Sequence, residues 1–193
     1  MQEHFEKVIG RLCTLEGLIE RLQTVESIGG FVKIVAVKSA VFTGTQSASV
    51  AAQGSLAITN LSISHACQNA ANKVLLFGYA GQLANSDGES LVGLAFAHDG
   101  TLFPLGTAAG SRTPVGVGGR HIASGSGFSG AGIAYSLHNL YSPGSIGTIT
   151  YTLHVININS ATKTVYVNRN LADSDSELVP RSTSGLLLIE VAS

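Results

Sequence analysis

The 193 residues carry 11 Lys and Arg against 12 Asp and Glu, a formal net charge of −1, and only 12% of positions are charged, against about a quarter in an average soluble protein. That balance supplies no phosphate-neutralising stripe, so nucleic acid is not an expected partner, and two cysteines are too few for a disulfide framework. No apolar run nears the roughly 20 residues needed to cross a bilayer, and the N-terminus is charged rather than signal-like, so neither membrane insertion nor signal-led export is expected.

The chain opens on a heptad repeat. Phe5, Val8, Leu12, Leu15, Ile19 and Leu22 alternate steps of three and four, the pattern of helices that wind around each other. With Phe5, Leu12 and Ile19 at position a, Arg11 falls at g and Glu16 at the following e, a pair that meets between parallel chains. Gly10 and Gly17 both land at f, each costing roughly 1 kcal/mol of helix propensity, so association has to hold the helix. Ile at a with Leu at d favours dimers, whereas Ile9, Leu18 and Val25 widen the apolar stripe and suit three strands better. A homotrimer is the expectation. The alternative is one amphipathic helix lying on its own β-domain. Cys13, at an outward heptad position, reads as an incidental thiol rather than an interchain bridge.

Gly29-Gly30 stops the helix, which divides the chain into a coiled-coil oligomerisation stalk over 1–29 and a β-domain over 30–193. Eight of the 23 charges lie in the stalk, leaving the β-domain a surface of Ser, Thr, Asn, Gly and Ala. Its strands are predicted at 31–42, 55–64, 73–80, 90–98, 101–106, 131–140, 146–156, 163–168 and 185–192. His98-Asp99-Gly100 and Asn85-Ser86-Asp87-Gly88 read as hairpin turns. Thr148, Thr150, Thr152 and His154 alternate with Ile149, Tyr151, Leu153 and Val155, giving one wet and one dry face. Leu186 to Ile189 are apolar on both faces, so the last strand should be central or face neighbouring subunits. The fold class expected is mainly β, an N-terminal coiled-coil helix followed by an antiparallel jelly-roll β-sandwich.

The stretch AFAHDGTLFPLGTAAGSRTPVGVGG (95–119) resembles a segment of bacteriophage fibre-like knob proteins: a strand, an Asp-Gly hairpin, a second strand, an Ala-Ala-Gly-Ser-Arg loop and a glycine-rich strand. The run TVYVNRNLADSDSELVPRSTSGLLLIEVA (164–192) is similar to the ending of the same family. The resemblance implies a trimeric jelly roll of the tumour-necrosis-factor-like type, displayed on a virion in a structural or adhesive role. It implies no catalytic residues and no cofactor. Other virion proteins of capsid or tail, and a host surface glycan or protein, are the partners it suggests. The chain departs from typical tail fibres in having no long shaft.

No motif argues for chemistry. Gly125-x-Gly127-x-x-Gly130 matches a dinucleotide-binding spacing without the strand–helix unit that gives it meaning. The glycine-rich 116–132 tract reads as an exposed distal loop, with Arg120, His121 and Phe128 as the residues for contacting a partner. Asp173, Asp175 and Glu177 read as a solvated turn, not a metal site, because Leu178 stands where a helix-loop-helix calcium loop needs Gly. The six histidines show no two-His metal spacing, and the neighbours His65 and Cys67 do not by themselves make a dyad. A carbohydrate-degrading knob, which needs two converging carboxylates, and a sugar-binding lectin are the competing functions.

Overall fold

A computed structural model describes residues 33–86, 89–122, 132–171 and 181–193. Phe5, Val8, Leu12, Leu15, Ile19 and Leu22 of the expected stalk, Phe128, and the acidic turn at 173–177 lie outside the described residues. Residues 34–193 form one unit. Eleven strands are described: β1 (Ile34–Phe42), β2 (Gln46–Val50), β3 (Ser55–Ala66), β4 (Lys73–Asn85), β5 (Glu89–His98), β6 (Thr101–Phe103), β7 (Val117–Ile122), β8 (Ile133–Tyr141), β9 (Thr148–Asn157), β10 (Lys163–Val167) and β11 (Ser184–Val191).

They pair antiparallel in two sheets. The first runs β1-β11-β4-β10-β2, with β8 on the free side of β4, and the second runs β3-β9-β5-β6, with β7 also on β5. Alternation in sequence dictates which side chains meet between them. Leu186 and Leu188 of β11, Val74 and Leu76 of β4, Leu94 and Phe96 of β5, and Leu153 and Val155 of β9 all turn inward and are buried. The result is a β-sandwich, with β11 an inner strand between β1 and β4, as its two-faced apolar run predicts.

The hairpin at 98–100 is as expected. Asp99 and Gly100 take φ of 46° and 84°, the left-handed pair that a two-residue turn of primed type requires. The Asp99 carboxylate also accepts from the Thr150 N–H at 2.9 Å, tying the turn to β9.

Two strands are not legible in the sequence. Gln46–Val50 is small and polar, yet it pairs with β10, and the Gln46 side chain bonds both Ala57 O and Thr59 N. Val117–Ile122 lies in the tract that composition reads as a loop, although the resemblance at 95–119 ends on a glycine-rich strand. Its glycines answer a packing demand: a Cβ at Gly118 would sit 2.8 Å from the Cα of Gly93, directly across the strand pair. Strand β6 stops at Phe103 instead of 106 because Pro104 has no N–H to donate.

Register also defines two ends. Ile34, Val191, Lys73 and Tyr141 lie together at one end. At the other, Leu83 faces Ile133 and Glu89 faces Ile122. The strand ends that bracket 123–131 are therefore at the end opposite the entry of the chain at Ile34.

Candidate functional site

Two features of the β-domain stand apart from ordinary core and surface. The first is the outer face of the sheet formed by β1, β11, β4 and β8. Its side chains stand in rows across the four strands: Val37, Ile189, Leu75 and Leu140; then Ser39, Leu187, Phe77 and His138; then Val41, Gly185, Tyr79 and Ser136. The Tyr79 ring lies over Gly185, where a side chain would collide with it. Val37, Val41, Phe77, Tyr79 and Leu140 are each between 42% and 59% exposed, and Ile34 beyond them is 59% exposed. An antiparallel sheet that ends in water normally turns a polar face outward.

The other sheet does so. Ser62, Ser64, Thr150, Thr152 and His154 line the outward side of β3 and β9. Ser64 Oγ and Thr150 Oγ1 lie 2.9 Å apart, and His154 reaches Thr152 Oγ1 at 2.9 Å and Ser55 Oγ at 3.3 Å. Partial burial holds the His154 imidazole below its ordinary range. The described residues thus build one wet and one apolar outer face.

The second feature is buried at the Ile34 end. On β3 the inward positions run Leu61, Ile63, His65, and Cys67 continues the same step into the following loop. On β11 the inward positions run Leu186, Leu188, Glu190. The two strands face each other across the sandwich, so imidazole, thiol and carboxylate converge. The Glu190 side chain is fully buried and accepts from His65 Nε2 at 2.9 Å. Its second oxygen accepts from the Gln68 N–H at 2.8 Å and the Asn72 amide at 2.6 Å.

Burial pushes the Glu190 carboxyl upward, but the bonds from Asn72, Gln68 and His65 outweigh it and leave the group below its ordinary range. Burial, reinforced by the nearby carboxylate, raises the Cys67 thiol. Tyr151, packed beside them, is raised as well, chiefly by burial.

Of the residues predicted to contact a partner, Arg120 is exposed on β7 and His121 follows it on the same strand, not on a loop. The structure does not bring them near the buried cluster, since their strand partners are Leu91 and Ser90 at the far end. Reading the sequence by single residues missed Glu190. The signal was present in alternation: His65 and Cys67 are two apart on one strand face, and Glu190 continues the inward step of Leu186 and Leu188.

No protein-family model matches the chain, and no curated protein matches it. Among solved structures it is similar to a chain in the structure of infectious bursal disease virus, Gx strain, at 12% identity and a TM-score of 0.33. The match covers 82% of this chain and 41% of that one, a superposition too loose to bear on function.

Proposed function

We propose that the chain is the protomer of a homotrimeric virion surface protein, a jelly-roll knob on a short coiled-coil stalk, of the bacteriophage fibre or decoration kind and without catalytic residues. The observation that carries this reading is the apolar outer face of β1, β11, β4 and β8. Further copies of the same chain are its occupant. The heptad pattern upstream predicts association of three chains, and other copies of the chain are then at hand to cover the apolar face. Self-association also fits the chemistry of the face: Val, Ile, Leu, Phe and Tyr dominate it, with Lys73 at its margin.

The virion setting rests on the resemblance of 95–119 and 164–192 to phage knob proteins. In that setting the end that holds Ile122 and Ile133 faces outward, and Arg120, His121 and the tract beyond them are the surface offered to a host glycan or protein. A whole-particle reconstruction tests the reading, with density for three copies projecting from the particle surface as the expected result. Absence of the chain from the particle overturns it. So does hydrolysis of host polysaccharide by the purified chain, abolished by changing a single carboxylate.

A further inference from the structure

The cluster at the Ile34 end does more than satisfy one buried glutamate. Its three side chains offer a nitrogen, a sulfur and an oxygen from three different ligand classes, and these atoms all lie within 4.8 Å of one another. Ligand atoms around a tetrahedral zinc ion, with bonds of about 2.0–2.3 Å, stand roughly 3–4 Å apart. The spacing found here approaches that value.

The surroundings hold the carboxylate in one orientation. Glu190 Oε1 is held by the Gln68 N–H and the Asn72 amide, which fixes the carboxylate and leaves Oε2 turned toward His65; such outer bonds orient ligands around bound metals. His65, Cys67 and Glu190 are all buried. The segment Gln68–Ala71, which follows Cys67 directly in sequence, is exposed.

We propose that His65, Cys67 and Glu190 form a binding site for one divalent transition-metal ion per chain, with zinc the best fit to an imidazole, thiolate and carboxylate set. On binding, the Cys67 thiol gives its proton to solvent and its sulfur bonds the metal. The neutral His65 imidazole carries its proton on Nδ1, so that Nε2 bonds the metal. The His65–Glu190 hydrogen bond is replaced by one metal bond from each partner. A water molecule fills the fourth position. The ion then joins β3 to β11 across the sandwich and adds a cross-link at the end where the chain enters from the predicted stalk. This inference does not depend on the virion reading.

Cobalt(II) is the probe, because a cobalt–thiolate bond gives an ultraviolet charge-transfer band that nitrogen and oxygen ligands do not. The full chain carrying Cys13→Ser leaves Cys67 as its one thiol. Titration of that chain should raise the band to saturation at one cobalt per chain, and zinc should displace it. Zinc should also raise the melting temperature, with the rise reversed by a chelator. Adding Cys67→Ser should abolish the band. Absence of the band in the Cys13→Ser chain overturns the site whether or not the double variant folds, and so does a band that survives Cys67→Ser.

Discussion

Asn168 shows how much of this sandwich hangs on single buried polar residues. It sits at a φ of 61°, a left-handed conformation that Asn tolerates better than most residues. From there its amide nitrogen donates to Phe42 O at 3.0 Å and Gly44 O at 2.8 Å, and its Oδ1 accepts from Ser184 Oγ at 2.6 Å. Its backbone N–H donates to Gln82 O at 2.7 Å. One residue thereby fixes the β1–β2 turn, the end of β10 and the start of β11. Asn168→Asp keeps the shape and the backbone tolerance but turns an anion toward two carbonyls. It should cost about 3 kcal/mol in urea unfolding, and a loss below about 1 kcal/mol would show that the amide is not the anchor.

His154 gives a pH signature at the same scale. Burial depresses its pKa in the folded chain, so protonation favours the unfolded state. Its contribution is complete above the unfolded-state value of about 6.5 and is lost as pH falls from there through the lower folded-state value. His154→Gln should flatten that part of the stability profile, and an unchanged slope in urea midpoints between neutral and mildly acidic pH would contradict the assignment.

At the scale of elements, the sandwich is as tight as its glycines allow. A Cβ at Gly78 would lie 2.8 Å from both Leu153 Cδ1 and Phe96 Cε1 in the opposite sheet. Gly78→Ala should therefore destabilise the fold by about 1–3 kcal/mol through overpacking, read as a lower melting temperature in calorimetry; an unchanged melting temperature would mean that the sheets separate easily there.

On the outer face the expectation reverses. Leu187 is turned away from the core between Ser39 and Phe77, so Leu187→Lys should leave the circular dichroism spectrum of the full chain unchanged while weakening its self-association. A Leu187→Lys chain that associates as tightly as the parent would remove the face from the interface.

Much of this architecture was legible in advance, because alternation is a local signal. Leu186 to Ile189 revealed an inner strand, the Thr and His of 148–154 a wet face, and Asp99-Gly100 a tight hairpin. What was not legible depends on distant partners. Val117–Ile122 reads as a flexible glycine tract until Gly93 is known to lie opposite Gly118. Alternation puts Glu190 in step with Leu186 and Leu188, but nothing local names His65, 125 residues away, as its partner. Long-range pairing of this kind leaves no mark on local composition.

At the scale of the whole molecule, the two outer faces have to be explained together. A soluble monomer gains nothing from presenting Ile34, Val37, Val41, Phe77 and Leu140 to water while dressing the opposite sheet in Ser and Thr. In the proposed trimer the apolar sheet faces its own copies and the polar sheet faces solvent. The heptad pattern upstream predicts association as well, since Gly10 and Gly17 would weaken an isolated helix. Sedimentation equilibrium of the full-length chain tests this most directly. A homotrimer gives a single species of three times 19.8 kDa that persists on dilution, and a species of 19.8 kDa at every concentration would contradict it.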